Sequence, residues 1–221
     1  MAESFLNPRM LAGTDWATVI FLLSLGLIAV TRSAFELRFA EFARLAVSDK
    51  YIKVYRDNSN LLSWFNIALF FLHLISFSFF IQLILSNYGF GLKNDWTFFL
   101  RIFTLLGVFI LSKFLIEKII AVCFNAEEFV EQFNLLKVSY RTYLGLLLLP
   151  VNILLYYSNG IPQWVFVTIL AIILAINLLT YAVSVRNYQN VLIGRLFYFI
   201  LYLCALEIAP YYFMYYWFTK S

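Results

Sequence analysis

The chain has 221 residues, of which 63% are apolar and only 13% are charged. Soluble domains carry about 25% charged and about 45–50% apolar residues, so a water-soluble core of this length is excluded and we expect a lipid bilayer as solvent. The 16 basic residues exceed the 12 acidic ones, but they lie between apolar segments, where they orient a membrane protein rather than bind nucleic acid.

Six apolar stretches follow one another along the chain. A spanning helix needs about 20 mainly apolar residues. The sequence predicts spans at about residues 16–31, 61–86, 96–124, 139–157, 163–184 and 195–218. Four spans would result if the first were interfacial and another re-entrant. We predict an all-α fold, a polytopic membrane helix bundle that forms a single membrane-embedded domain over residues 1–221.

Two segments between the spans have the pattern of helices that do not cross the membrane. In FELRFAEFARLAV, the residues Phe35, Phe39 and Phe42 share one helical face, which predicts an amphipathic helix in the membrane interface. NAEEFVEQFNLLK, residues 125–137, is the second such segment. We predict that these two cytoplasmic amphipathic helices hold the long loops against the bundle. Docking of a cytoplasmic partner is the alternative.

The distribution of Lys and Arg predicts the orientation. Twelve of these residues lie in or beside the connections after the first, third and fifth spans, and four lie on the opposite side. By the positive-inside rule, the N-terminus and the C-terminus both lie outside the cytoplasm. Near the cytoplasmic end of the third span, Lys113 and Glu117 are one helical turn apart and can pair. The basic residues expected to face lipid or a partner in the first cytoplasmic connection are Arg38, Arg44, Lys50, Lys53 and Arg56.

Two titratable residues lie near the middle of predicted spans. Glu207 is central in the sixth span, and His73, the only histidine, is central in the second. A charge at that depth costs about 2.5–3.5 kcal/mol on insertion scales, so each group needs a partner, a proton or a function. One hypothesis is a hydrogen-bonded Glu207–His73 pair that relays protons. The alternative, which we favour, is a static polar clasp between helices.

Other polar and helix-weakening residues also lie inside the spans. The amides of Asn66, Gln82, Asn152 and Asn177 are expected to hydrogen-bond between helices. Pro150 and Pro210 are candidate hinges, because proline removes a backbone hydrogen bond from the preceding turn. Neighbouring helices often satisfy such carbonyls, so a purely structural role is the alternative.

The sequence contains no recognised catalytic motif. HExxH, GxSxG, the P-loop and the Gly-rich dinucleotide turn are all missing, and one histidine cannot supply a multi-histidine metal centre. We therefore expect no catalytic residue, no metal and no cofactor. A membrane enzyme that acts on lipid at the charged loop of residues 44–57 is the third of the functions considered.

Three segments carry a resemblance to a known family. They are SDKYIKVY…NLLSWFNIALF (residues 48–70), YRTYLGLLLLP (residues 140–150) and, most distinctively, FYFILYLCALEIAP (residues 197–210). The chain resembles a family of bacterial integral-membrane proteins from the Bacteroidetes, the domain of unknown function 4271. The resemblance implies a multi-pass inner-membrane protein and supplies no catalytic residues.

Two functions from different classes fit these features. The first is a non-catalytic subunit or scaffold of a cell-envelope assembly in the bacterial inner membrane, with the lipid bilayer and envelope proteins as partners. The second is a small proton-coupled transporter or channel that uses Glu207 and His73. The sequence is compatible with a homo-oligomer in both cases.

Overall fold

The computed structural model describes residues 15–44, 63–123, 127–158 and 160–187, and every regular element in these ranges is a helix. The helices are α1 Asp15–Ala34, α2 Glu36–Ala43, α3 Trp64–Asn87, α4 Trp96–Cys123, α5 Glu127–Tyr157 and α6 Gln163–Asn187. Four segments are long and apolar enough to cross a membrane, namely α1, α3, α4 and Lys137–Tyr157 of α5. The all-α class is thus confirmed. Six spans stay a prediction, because the described residues establish only these four segments and the sixth predicted span lies outside them.

One predicted boundary is wrong. The segment of residues 125–137 was expected to be separate from the span that starts at residue 139, but α5 is one continuous helix of 31 residues. The physical reason is local. The intervening residues, from Lys137 to Arg141, include no Gly or Pro, so nothing interrupts the helical hydrogen bonds when the pattern changes from amphipathic to apolar.

The first and third helices run antiparallel. The indole of Trp16, at the start of α1, stacks on Phe79 late in α3 at 5.7 Å between ring centroids, whereas Phe35, just after α1, contacts Phe65 early in α3 at 5.7 Å. We refer to these two ends of the bundle as the Trp16 end and the Phe42 end, the latter after the buried phenylalanine of α2.

The remaining contacts place α3 at the centre of the described bundle. Late in α3, Phe79 contacts both Phe99 at the start of α4 (4.5 Å) and Tyr156 at the end of α5 (5.9 Å). The helix α4 is therefore antiparallel to α3, and α5 is parallel to it. In its most apolar window, 56% of α3 is buried, against 17% of α4. The helix α4 is consequently peripheral.

Side-chain and backbone hydrogen bonds fix the connection between α3 and α4. Gly89, with φ +84°, ends α3 in a Schellman motif in which the amide of Phe90 donates to the carbonyl of Leu85 at 3.0 Å. The Nε2 amide of Gln82 lies 3.5, 3.2 and 3.0 Å from the carbonyl oxygens of residues 92, 93 and 95. Asp95 then caps α4 by accepting from its second backbone amide at 2.9 Å. The Trp16 end is thereby closed by an ordered turn.

The short helix α2 packs against the Phe42 end. Phe42 keeps only 2% of its surface exposed and makes edge-to-face contacts with Phe65 and Tyr143, both at 5.9 Å. The guanidinium of Arg38 lies 4.8 Å from the ring centroid of Phe65. The predicted amphipathic helix is thus present over residues 36–43, and its aromatic face packs against the bundle. Its location in a membrane interface stays a prediction.

Candidate functional site

A row of buried polar side chains lies in the interface between α3 and α5, and we call it the polar seam. Its members are His73 and Ser76 on α3 and Asn152 on α5. His73 and Ser76 are three residues apart and therefore lie on one face of their helix. All three are at most 3% exposed, although most of their neighbours are apolar. The polar seam is the natural candidate site because buried polar groups inside a bundle must be satisfied by each other or by a ligand.

The imidazole of His73 lies directly on the backbone of α5. A Cβ added at Gly145 would be 2.9 Å from both Cα and Nδ1 of His73, so only glycine permits this approach. The ring also contacts Phe77 at 4.4 Å between ring centroids. Among the described residues, this buried Nδ1 has no hydrogen-bond partner.

The side chain of Asn152 hydrogen-bonds to α3 two helical turns after Gly145 on α5. Its Nδ2 donates to the backbone carbonyl of Ser76 at 2.7 Å and lies 3.2 Å from the Ser76 hydroxyl. The interhelical hydrogen bond predicted for Asn152 is confirmed. Its Oδ1 is buried and has no partner in the described part of the chain. The polar seam therefore has two buried polar atoms without a partner among the described residues, Nδ1 of His73 and Oδ1 of Asn152. The Asn152 oxygen is an acceptor, so the polar seam is suited to bind a hydrogen-bond donor such as water or a hydroxyl.

A second buried polar group joins α4 to α5 near the Phe42 end. Lys137 Nζ lies 3.4 Å from Oε1 of Glu117, and the two side chains are 13% and 5% exposed. Lys113, one turn before Glu117, is 8% exposed. The sequence indicated that Lys113 and Glu117 are one helical turn apart. It did not indicate Lys137 as the partner of Glu117, because helical periodicity gives no information about contacts between two different helices.

The other predicted site residues are spread over the structure or lie outside it. Arg38 is half-buried on α2, and Arg44 is exposed just after it. Pro150 is exposed, and α5 continues through it. The remaining predicted site residues, Lys50, Lys53, Arg56, Glu207 and Pro210, lie outside the described residues. The structure therefore places His73 but does not test its pairing with Glu207.

Sequence reasoning missed Gly145, the residue of α5 against which His73 packs. Gly145 was a detectable signal, since it is the one glycine in the Leu-rich stretch YRTYLGLLLLP. Within the described ranges, no three His, Cys, Asp or Glu side chains are grouped so as to hold a metal ion.

Comparison with known proteins gives a family. The profile described as "Domain of unknown function (DUF4271)" matches residues 17–218. The chain belongs to this family. No curated protein and no solved structure matches the chain. The DUF4271 match extends over all of the polar seam and over the predicted sixth span, so the resemblance inferred from the sequence is confirmed. As its description states, DUF4271 brings no assigned activity.

Proposed function

We propose that the protein is a non-catalytic integral-membrane subunit that organises a cell-envelope assembly through the outward face of α4. The observation that supports this proposal is a stripe of polar residues on the exposed face of α4, which is a peripheral helix. Arg101, Thr104 and Ser112 are exposed and lie on the same side as the exposed Val108 and Leu115. The Thr104 hydroxyl already donates to the carbonyl of Leu100 in its own helix at 2.8 Å. Lipid offers the exposed side chains of Arg101 and Ser112 no hydrogen bonds, whereas a neighbouring transmembrane helix does.

The charges of the two ends support an orientation. In the described residues, the Trp16 end carries the basic residues Lys93 and Arg101. The Phe42 end carries Arg32, Arg38, Arg44, Lys113, Lys118, Lys137 and Arg141. The positive-inside rule favours the Phe42 end as cytoplasmic. We therefore propose a bacterial inner-membrane location with both termini outside the cytoplasm.

Photo-crosslinking in native membranes tests the proposed subunit. A photoreactive amino acid at Ser112 is expected to form an adduct with a discrete envelope protein or with a second copy of the chain. The matched control is Leu22, which is 63% exposed on α1 and should label lipid. The proposal fails if Ser112 and Leu22 both label only lipid, and if the protein purified in mild detergent carries no stoichiometric partner.

A second function, proton-coupled transport, rests on a different observation. The buried Nδ1 of His73 has no hydrogen-bond partner among the described residues, and a carboxyl such as that of Glu207 can donate to an imidazole nitrogen when protonated and accept from it when ionised. Replacing Glu207 by Gln preserves the shape and removes the ionisation. Glu207→Gln is expected to lower proton uptake by sealed vesicles, whereas the control Glu36→Gln, at an exposed residue, should leave it unchanged. Unchanged proton uptake in Glu207→Gln would contradict this proposal.

A further inference from the structure

Charged residues collect where α4 and α5 meet near the Phe42 end, and we call them the basic cluster. Its members are Lys113 and Glu117 on α4 and Lys137 and Arg141 on α5. Oε1 of Glu117 lies 3.4 Å from Nζ of Lys137, and both Lys113 and Glu117 are buried. The basic cluster therefore contains three cations and one carboxylate, and one carboxylate cannot neutralise three cations.

The register of the two helices places Lys113 level with Arg141. Because α4 is antiparallel and α5 parallel to α3, the helices α4 and α5 are antiparallel to each other. The contact between Glu117 and Lys137 fixes their register. Lys113 precedes Glu117 by four residues and Arg141 follows Lys137 by four, so each lies about 6 Å closer to the Trp16 end, on the same side of its helix as the ion pair. Two cations at one level of an interface repel each other, and an anion beside them would stabilise both.

The guanidinium of Arg141 is the part of the basic cluster best suited to receive an anion. Among the described residues, no carboxylate forms a salt bridge with Arg141. Its side chain is half-buried and that of Lys137 is 13% exposed, so both are accessible at the edge of the interface. A guanidinium presents its donors as a planar fork that matches two oxygens of a phosphate group, whereas an ammonium acts as a point charge.

The basic cluster lies at the end of an apolar segment. The part of α5 that is long and apolar enough to cross a membrane begins at Lys137 and ends at Tyr157. Lys137 is thus at the boundary of that segment, and Arg141 is about 6 Å inside it. Long basic side chains at this depth extend toward the boundary, where lipid headgroups lie. Basic sites between spanning helices at this level are suited to anionic headgroups.

We propose that the basic cluster binds the phosphate of one anionic lipid, with Arg141 as the main ligand and Lys113 and Lys137 as supporting cations. A lipid fits this place better than a free anion because apolar side chains of α4 adjoin the cluster. Ile116, which is 46% exposed and one helical turn from Lys113, offers such a surface to an acyl chain. This site goes beyond the proposed subunit function and does not depend on a partner for the outward face of α4.

Native mass spectrometry of the full chain in mild detergent tests the site. The probes are phosphatidylglycerol and phosphatidylcholine with the same acyl chains, and we expect one phosphatidylglycerol to stay bound under conditions that remove phosphatidylcholine. Arg141→Gln is expected to lower the affinity for phosphatidylglycerol about tenfold, because a hydrogen bond to a charged group contributes about that factor. The matched control is Arg32→Gln, since Arg32 is exposed on α1 near the same end of the bundle. Equal binding of the two lipids by the parent, or an equal effect of the two substitutions, overturns the proposal.

Two further variants separate recognition of the phosphate from damage to the fold. Arg141→Lys keeps the charge and loses the planar fork, so we expect an affinity between those of the parent and Arg141→Gln. Glu117→Gln removes the carboxylate of the basic cluster and is expected to raise the affinity for phosphatidylglycerol, whereas a damaged interface would lower it. Lower affinity in the folded fraction of Glu117→Gln contradicts the proposal.

Inorganic phosphate distinguishes a lipid site from a site for a free anion. Added in excess, it should leave phosphatidylglycerol bound, because it lacks the acyl chains. Displacement of the lipid by inorganic phosphate would overturn the assignment to a lipid. These results are independent of crosslinking at Ser112, so this site and the proposed subunit can fail separately.

Discussion

The backbone of Gly145 approaches His73 so closely that a Cβ at Gly145 would lie 2.9 Å from Nδ1 of the imidazole. Cβ atoms essentially never make such short contacts, and the neighbouring Cα of His73 is backbone that cannot rotate away. The pair therefore sets the distance between α3 and α5 at the level of the polar seam, in the same way that small residues permit close helix packing in membranes.

Gly145→Ala is expected to destabilise the protein by about 1–3 kcal/mol, because the methyl group overpacks the contact with His73. The free energy of unfolding, measured by titration with a denaturing detergent, checks this. The control is Gly26→Ala, where an added Cβ meets nothing within 4 Å and the better helix propensity of alanine leaves stability unchanged or slightly higher. An unchanged free energy of unfolding in Gly145→Ala would show that α3 and α5 can move apart at this position without destabilising the protein.

Asn152→Leu is expected to lower the free energy of unfolding by about 0.6–2 kcal/mol, because it removes the interhelical hydrogen bonds to Ser76. Asn177→Leu is the matched control, since the Asn177 amide is exposed and donates only to Ile173 in its own helix at 2.9 Å. The same detergent titration compares the two variants. An equal loss of unfolding free energy at both positions would argue that the hydrogen bonds between Asn152 and Ser76 do not stabilise the bundle.

Glu117→Gln is expected to destabilise the bundle by about 3–5 kcal/mol if Lys137 retains its charge, because a poorly exposed ammonium then loses its carboxylate. Adding Lys137→Met to that variant is expected to restore part of the loss. A double-mutant cycle on these two residues measures the coupling. Additive effects, with no recovery in the double variant, would contradict a direct interaction across α4 and α5.

The capping carboxylate of Asp95 is expected to make stability depend on pH. The hydroxyl of Thr97 donates to it at 2.7 Å, and this bond in the first place holds the pKa of Asp95 below its ordinary value of 3.8. A lowered pKa in the folded state gives stabilisation that is present above pH 3.8 and is lost as the pH falls through the folded-state value. Asp95→Ala should therefore lower the melting temperature at pH 7, with a difference from the parent that shrinks below pH 3.8.

Thr97→Val separates this effect from general damage to the turn. It removes the strongest bond to the carboxylate but leaves the backbone amide of residue 97 as a donor at 2.9 Å. We expect an intermediate loss of stability at pH 7, followed by thermal denaturation with intrinsic fluorescence. A difference between Asp95→Ala and the parent that stays constant from pH 7 to pH 3 would contradict the cap.

The bounds of the helices that are long and apolar enough to span a membrane were largely predictable from the sequence, because about 20 mainly apolar residues mark such a helix. The second span was predicted at residues 61–86, and α3 is Trp64–Asn87. The continuity of α5 was not predictable from the hydrophobic pattern. The pattern indicates whether water or lipid surrounds a helix, but it does not indicate where the backbone hydrogen bonds of that helix end. Only a helix-breaking residue would have signalled a boundary at residue 138.

The contacts of the site were harder to predict, and the amides show why. Asn152 bonds across helices as expected, but Asn177 bonds within its own helix, so that prediction was wrong. In a helix that is apolar on every side, hydrophobic periodicity does not tell which face meets the bundle. The same limit hid the contact of His73 with Gly145, although a glycine in a leucine-rich span was a visible clue.

The unbroken course of α5 has a mechanical consequence. Thirty-one helical residues form a rod of about 46 Å, longer than the hydrocarbon core of about 30 Å. Two of its contacts, Asn152 with Ser76 and Lys137 with Glu117, therefore lie on one helix with no loop between them. A shift of α5 at the Phe42 end is transmitted along continuous helix to Gly145, on whose backbone His73 lies, whereas Pro150 removes a hydrogen bond from the helix before Asn152 is reached.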